Sequence, residues 1–279
     1  MNSAKVFVAS LFLLFAAGMA GCDSQNNDEE AAPEVLSADV FSLETDLFGE
    51  TASKDPQLKA NFVAAALRVW PVSIVVGANL IVPAAVTAAA LEDTPEFVDG
   101  AWEWISTASV EGSDVGFNLT ARPDGSYLDW SMVIDGIDPE TQEVYDSFEL
   151  YTARTLFGEQ TGGWDLYYRI GDVKTNVLSA DFDVNDSDGM TSVTYTVPST
   201  AAEHTGDSVT YEASGDSRRF AWHQVAESID HEVTWNAVTH EGSIEATNYN
   251  GGVMACWDTT LEDTACGQGL FTLPTGRFR

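Results

Sequence analysis

The chain has 279 residues, 44 of them acidic and 12 basic, for a formal net charge of −32 at pH 7. So negative a surface repels phosphate, which argues against nucleic acid as a partner and gives anionic lipid head groups no purchase. Hydrophobic residues make up 44% of the chain, with 14 Phe, 8 Trp and 8 Tyr, enough for a packed core and too many for a disordered acidic chain.

Lys5 supplies one positive charge, an uncharged apolar run follows from Val6 to Ala17, and Gly18-Met19-Ala20-Gly21 lead into Cys22. This order of charge, apolar run and small residues is the signature of a secretory signal, and the run is shorter than the roughly 20 residues of a membrane span. Met19-Ala20-Gly21-Cys22 resembles the lipobox of bacterial lipoproteins, with Met19 where leucine is commonest. The resemblance implies removal of residues 1–21 and acylation of Cys22; an ordinary signal peptide with an incidental cysteine is the other reading. More than one acyl chain gives a durable anchor that does not span the bilayer. The expected location is therefore the cell envelope, lipid-anchored to the outer membrane. Residues 22–34 then form the lipidated cysteine and an acidic tether (DSQNNDEEAAP over 23–33), and residues 35–279 a single globular domain.

Residues 35–100 are the extended and helical part. Gln57 to Trp70 reads as a helix that ends at Pro71. The uncharged stretch Val69–Leu91 allows either a membrane span or two short buried helices joined near Pro83. The second reading is favoured. A span would return everything after it to the cytoplasm, away from the anchor, whereas the two cysteines further along fit an oxidising compartment.

From Ala101 onward the period is two. Trp102/Trp104, Trp130/Met132/Ile134, Trp164/Leu166/Tyr168, Ala180/Phe182, Val193/Tyr195, Val209/Tyr211, Phe220/Trp222 and Val233/Trp235 alternate with polar residues. Turn chemistry separates the runs at Arg122-Pro123-Asp124-Gly125, Gly162-Gly163, Asp188-Gly189, Ser214-Gly215-Asp216 and Asn250-Gly251-Gly252. The pattern predicts a mainly β fold: a curved antiparallel meander or open barrel of about a dozen strands, wrapped around short N-terminal buried helices. Trp102, Trp130, Trp164, Trp222 and Trp235 fall on its apolar face, where they either pack on the helices or line an apolar cavity. Gly100-Ala101-Trp102 resembles the Gly-x-Trp that opens the first strand of lipocalins. That hint concerns architecture alone, since a dozen strands exceed the eight of that fold.

Cys256 and Cys266 remain as an even pair once Cys22 is lipidated, either a disulfide or two free thiols; the exported context favours the disulfide. Asp181, Asp183, Asn185, Asp186 and Asp188 form a dense cluster of oxygen ligands, read as a weak calcium candidate or as an acidic hairpin in an acidic protein; it does not fit the EF-hand spacing. A hairpin centred on Glu227 and Ser228 pairs Trp222 with Val233 and Phe220 with Trp235. It places His223 and His231 on opposite faces, where they cannot share an ion. These two, with His204 and His240, read as surface or strand-end histidines.

No Gly-x-Ser-x-Gly, His-Glu-x-x-His or phosphate-binding glycine loop is present, so no catalytic residue and no cofactor is assigned. The whole resembles uncharacterised β-rich envelope lipoproteins of Bacteroidetes-like bacteria. It implies a non-enzymatic structural or interaction module, held to the membrane by its lipid and meeting another envelope protein. A carrier of an apolar ligand such as a lipid is the alternative. Only three lysines (Lys54, Lys59, Lys174) follow Lys5, and this scarcity beside acid excess is the composition of proteins from salt-loving bacteria. Self-repulsion is screened when the Debye length falls to about 3 Å in about 1 M salt. The melting temperature should therefore rise steeply with potassium chloride up to that concentration; a flat response in thermal unfolding contradicts the inference.

Overall fold

Strict alternation of apolar and polar residues dictates strands with one buried face, and the chain from Ala101 obeys it almost without interruption. The computed structural model describes residues 32–35, 43–51, 59–110, 113–137, 144–185, 190–198 and 204–267. Two helices, α1 (Asp46–Thr51) and α2 (Ala60–Glu92), precede fourteen strands. These are β1 (Glu96–Val98), β2 (Ala101–Val110), β3 (Ser113–Asp124), β4 (Tyr127–Ile137), β5 (Val144–Leu156), β6 (Gln160–Ile170), β7 (Val173–Asn185) and β8 (Met190–Thr196), followed by β9 (Ser208–Ser214), β10 (Ser217–Gln224), β11 (Ile229–Asn236), β12 (Gly242–Ala246), β13 (Ala255–Trp257) and β14 (Asp263–Thr264). Each pairs antiparallel with the next in sequence, giving one open meander with β1 and β14 as its edges. Those edges are three and two residues long, and beyond β1 the stretch Trp104–Val110 of β2 pairs with β3 alone.

One cross-strand row organises the inner face. Reading from β2 to β12, the directly paired residues are Trp102, Ala121, Trp130, Ala153, Trp164, Ala180, Tyr195, Val209, Trp222, His231 and Ala246. Large rings alternate with small residues, so neighbouring rings do not collide when the strands draw together on a concave surface. Curvature is also built in by bulges, which bend a strand and increase its twist. The β4–β5 register slips between Met132 and Val133 and again between Ile134 and Gly136, and β6–β7 slips between Leu166 and Tyr167. Across the first slip the consecutive residues Leu150 and Tyr151 are both buried, which regular alternation forbids.

The concave face closes on α2. This helix packs against β2 near one edge and against β11 to β14 near the other, so both ends of the sheet converge on it. Phe62, Ala65, Ala66, Val69, Val76, Leu80, Val86 and Ala90 form its buried stripe at the three-to-four residue spacing of one helix face. Aromatic contacts fix its first turn. Phe62 stacks on Phe48 of α1 (5.5 Å) and meets Trp257 edge-on (5.7 Å), and Phe48 in turn meets Trp235 (5.0 Å). The Asn61 backbone N–H donates to the Asp263 carboxylate of β14 (2.9 Å), an acid placed where helix amides lack partners.

The expected pair of short helices is instead one helix of 33 residues that runs through both Pro71 and Pro83. A proline inside a helix removes one N–H and costs on the order of 3 kcal/mol. At Pro83 the liberated carbonyl is that of Asn79, and the Tyr168 hydroxyl of β6 donates to it (3.3 Å). At Pro71 the liberated carbonyl belongs to Leu67, a solvent-facing residue of the helix. Burial of the apolar stripe, about 1.5–3 kcal/mol for each large side chain, offsets both. By length and composition alone α2 could cross a membrane; its apolar stripe faces the sheet.

Gly162-Gly163, expected as a turn, lies inside β6, and the turn is Phe157-Gly158 instead. A Cβ at Gly162 would overlap the Arg154 carbonyl oxygen, so this glycine marks close backbone approach. Gly242 is confined in the same way by the Trp257 ring and the Thr234 carbonyl oxygen, whereas Gly77 of α2 has open space around its Cα. Gly242→Ala should cost about 1–3 kcal/mol. Gly77→Ala should gain about 0.5–1 kcal/mol. Urea unfolding of the two variants checks both, and a neutral Gly242→Ala would contradict the packing.

Candidate functional site

A cleft of about 310 Å³ lies between the Pro71–Asn79 segment of α2 and strands β7 to β10. Val72, Val75 and Val76 form the helical wall. Val177, Leu178, Tyr195, Val209 and Trp222 form the sheet wall, the last three being consecutive members of the alternating row. Here the row reads Tyr195, Val209, Trp222, again ring, small residue, ring, and the cleft opens between it and the three helix valines. Clefts of a few hundred Å³ with apolar walls and a few polar groups are the usual form of small-molecule sites.

The polar groups at this cleft are Asn79, His204 and Asp207. Asp207 is buried at 6% exposure. Its carboxylate accepts from the Val225 backbone N–H (2.8 Å) and pairs with His204 Nδ1 (3.1 Å). His204 itself is exposed and sits in the left-handed region at φ 60°. Burial pushes the hydroxyl of Tyr195 well above the ordinary phenol range, so it stays a neutral group.

Beside the cleft, α2 is tied to the sheet by its only charged residue before Glu92. Arg68 Nε–H donates to His231 Nδ1 (3.1 Å), and His231 Nε2 lies 3.1 Å from Gln224 Oε1. Two further guanidinium nitrogens donate to the Ala64 carbonyl (2.7 Å) and to Asn248 Oδ1 (2.8 Å), and the group lies over the Tyr249 ring at 5.4 Å. His231 stacks on Trp222 at 5.1 Å. Its own burial, and then the Arg68 charge, hold the imidazole below its usual range, against the opposing pull of Asp230 and Glu227.

Several sequence expectations need correction or refinement here. His231 is not at the surface but buried at 4% exposure on the inner face. The β10–β11 hairpin is two residues out of the expected register, pairing Phe220 with Val233 and Trp222 with His231. A two-residue slip preserves the faces, so His223 still lies on the other side, paired with Asp230 (2.6 Å). Of the five tryptophans proposed to pack or to line a cavity, Trp102, Trp130, Trp164 and Trp235 are buried in the core and Trp222 lines the cleft. Trp130 donates to Thr155 Oγ1 (2.9 Å), and Trp164 meets Tyr195 edge-on (5.9 Å).

Cys256 and Cys266 are joined in a disulfide with Cα atoms 5.2 Å apart. The bridge ties down the segment that carries Asp263, whose carboxylate caps α2, and the Cys256 carbonyl accepts from Asn61 Nδ2 (2.8 Å). In the calcium candidate, Asp181 and Asp183 stand exposed on the outer face of β7 and Asn185 ends that strand, while Asp186 and Asp188 lie outside the described residues, as does Cys22. Asp183 accepts from Thr161 Oγ1 (3.0 Å). Among the described residues no group of three or more His, Cys, Asp or Glu side chains could hold a metal ion.

The cleft residue Val177 was not singled out by the sequence, because nothing local distinguishes a valine facing a gap from one facing a partner. Arg68 did carry a signal: a lone charge in an otherwise apolar helix needs a partner when that helix is buried. No protein-family model, no curated protein and no solved structure matches the chain.

Proposed function

We propose that the protein is an exported, lipid-anchored envelope protein whose folded domain binds an apolar molecule in the cleft between α2 and strands β7 to β10. The observation that carries this reading is the unfilled apolar gap in a row of side chains that is otherwise closely packed. Its scale suits a small apolar compound or one end of an acyl chain. His204 and Asp207 at the same cleft offer polar partners to a head group. The reading needs no catalytic group and no cofactor. A structural or interaction module remains the second reading, favoured by the dense packing of the other four tryptophans.

The neutral fluorescent probe N-phenyl-1-naphthylamine, titrated into the full-length protein in high salt, should bind with a rise in emission. Val209→Trp should abolish binding while leaving the far-UV circular dichroism unchanged. No binding by the wild type, or full binding by the variant, contradicts the carrier reading. The anchor is tested separately. Cys22→Ser should move the protein to the soluble fraction with the same melting temperature, whereas a variant that resists a high-salt wash would transfer anchoring to residues 69–91.

A further inference from the structure

One imidazole beside the cleft links α2 to the sheet. His231 holds the helical wall through Arg68, one turn before Pro71, and holds the sheet wall through Trp222, on which it stacks. We propose that the cleft is acid-released: a second proton on His231 breaks the Arg68–His231–Gln224 clamp, unseats this stretch of α2 and lets an apolar ligand go. The inference rests on the apolar-ligand reading above and concerns the regulation of that same site.

The hydrogen bonds fix the protonation state. Arg68 has only donors, so Nδ1 of His231 must be the acceptor and the ring is the neutral tautomer with its proton on Nε2, donated to Gln224 Oε1. Protonation at Nδ1 removes the acceptor and sets a second cation 3.1 Å from the guanidinium, donor facing donor. The groups around the ring come from every neighbouring element. Helix α2 contributes the Arg68 charge, and β10 contributes Trp222 and Gln224, neither of which titrates. The 225–228 turn contributes Glu227, and β11 contributes Asp230, already engaged by His223. On the β12 side stand Ala246 and, through Arg68, Asn248 and Tyr249.

The two carboxylates favour the proton, burial and Arg68 oppose it, and the opposition wins. The sign of the response follows. The fold holds the neutral ring, so the clamp is fully present above the ordinary histidine range and is lost as pH falls through the lowered folded value. Acid therefore opens the cleft, and base does not.

The test titrates N-phenyl-1-naphthylamine into the full-length protein at about pH 7.5 and about pH 5, in about 1 M potassium chloride so that surface carboxylates are screened. Wild type should bind several-fold more weakly at the lower pH. His231→Gln, which keeps an acceptor for Arg68 but cannot titrate, should bind equally at both. His204→Gln, at the cleft but outside the clamp, should keep the wild-type dependence. A pH-independent wild type, full dependence in His231→Gln, or loss of dependence in His204→Gln alone overturns the proposal and leaves the cleft reading standing. A ligand-free readout covers the remaining case. Acrylamide quenching of Trp222, taken as the difference between wild type and Trp222→Phe, should rise on acidification only where His231 is present. If the probe binds at neither pH, the cleft reading falls, and this difference alone decides the clamp: a pH-independent difference overturns it.

Discussion

The structure depends on one constraint: a fourteen-stranded antiparallel sheet with a single apolar face must bury that face, and it does so on one long helix. An open sheet of this width has no second sheet to pack against among the described residues. It curls instead until β2 and β11 to β14 meet the same stripe of α2. The curl is made possible by the Trp–Ala–Trp–Ala–Trp–Ala row, by bulges in β5 and β7, and by glycines at Gly162 and Gly242, where backbones or rings come too close for a Cβ. Each device is local, but they act together only because α2 gives them something to close on.

The cleft is a consequence of the same geometry. Along β2 to β6 the large members of the row are all tryptophans, with alanines between them. From β8 to β10 the row reads Tyr195, Val209, Trp222, and the helix opposite presents Pro71, three valines and Asn79. The walls that face each other across the cleft are apolar. Beyond Trp222 the row continues to His231, which accepts from Arg68. A polar clamp thus stands beside the cleft, joined to it by the stacking of His231 on Trp222.

The outer face follows different rules. Its few cations are spread among several acids. Arg154 reaches both Asp124 and Asp129, Arg219 reaches both Glu212 and Glu232, and Lys174 pairs with Glu149. Pairs at or near the surface are screened by solvent, so they relieve local repulsion more than they stabilise the fold. Most of the architecture was legible in the sequence, because period-two alternation and turn residues such as Asp124-Gly125 and Gly215-Asp216 act locally. What was not legible depended on partners distant in sequence. Pro71 and Pro83 read as helix ends until Tyr168 and the sheet are present to sustain the helix through them. Gly162-Gly163 read as a turn until the neighbouring backbone of β5 shows why a strand needs them. The two-residue slip at the β10–β11 hairpin left every residue on its expected face, yet it brought Trp222 opposite His231, a contact that residue type alone does not announce.

The central claim is that α2 is the core on which the sheet curls, and native-state hydrogen exchange of its amides tests this most directly. The amides of Val63–Val69 and Val86–Ala90 should exchange as slowly as those in the middle of β3 and β4, by opening with the whole domain. Rapid exchange of α2 while the sheet remained protected would show that the sheet holds its curvature without the helix, and would contradict the account.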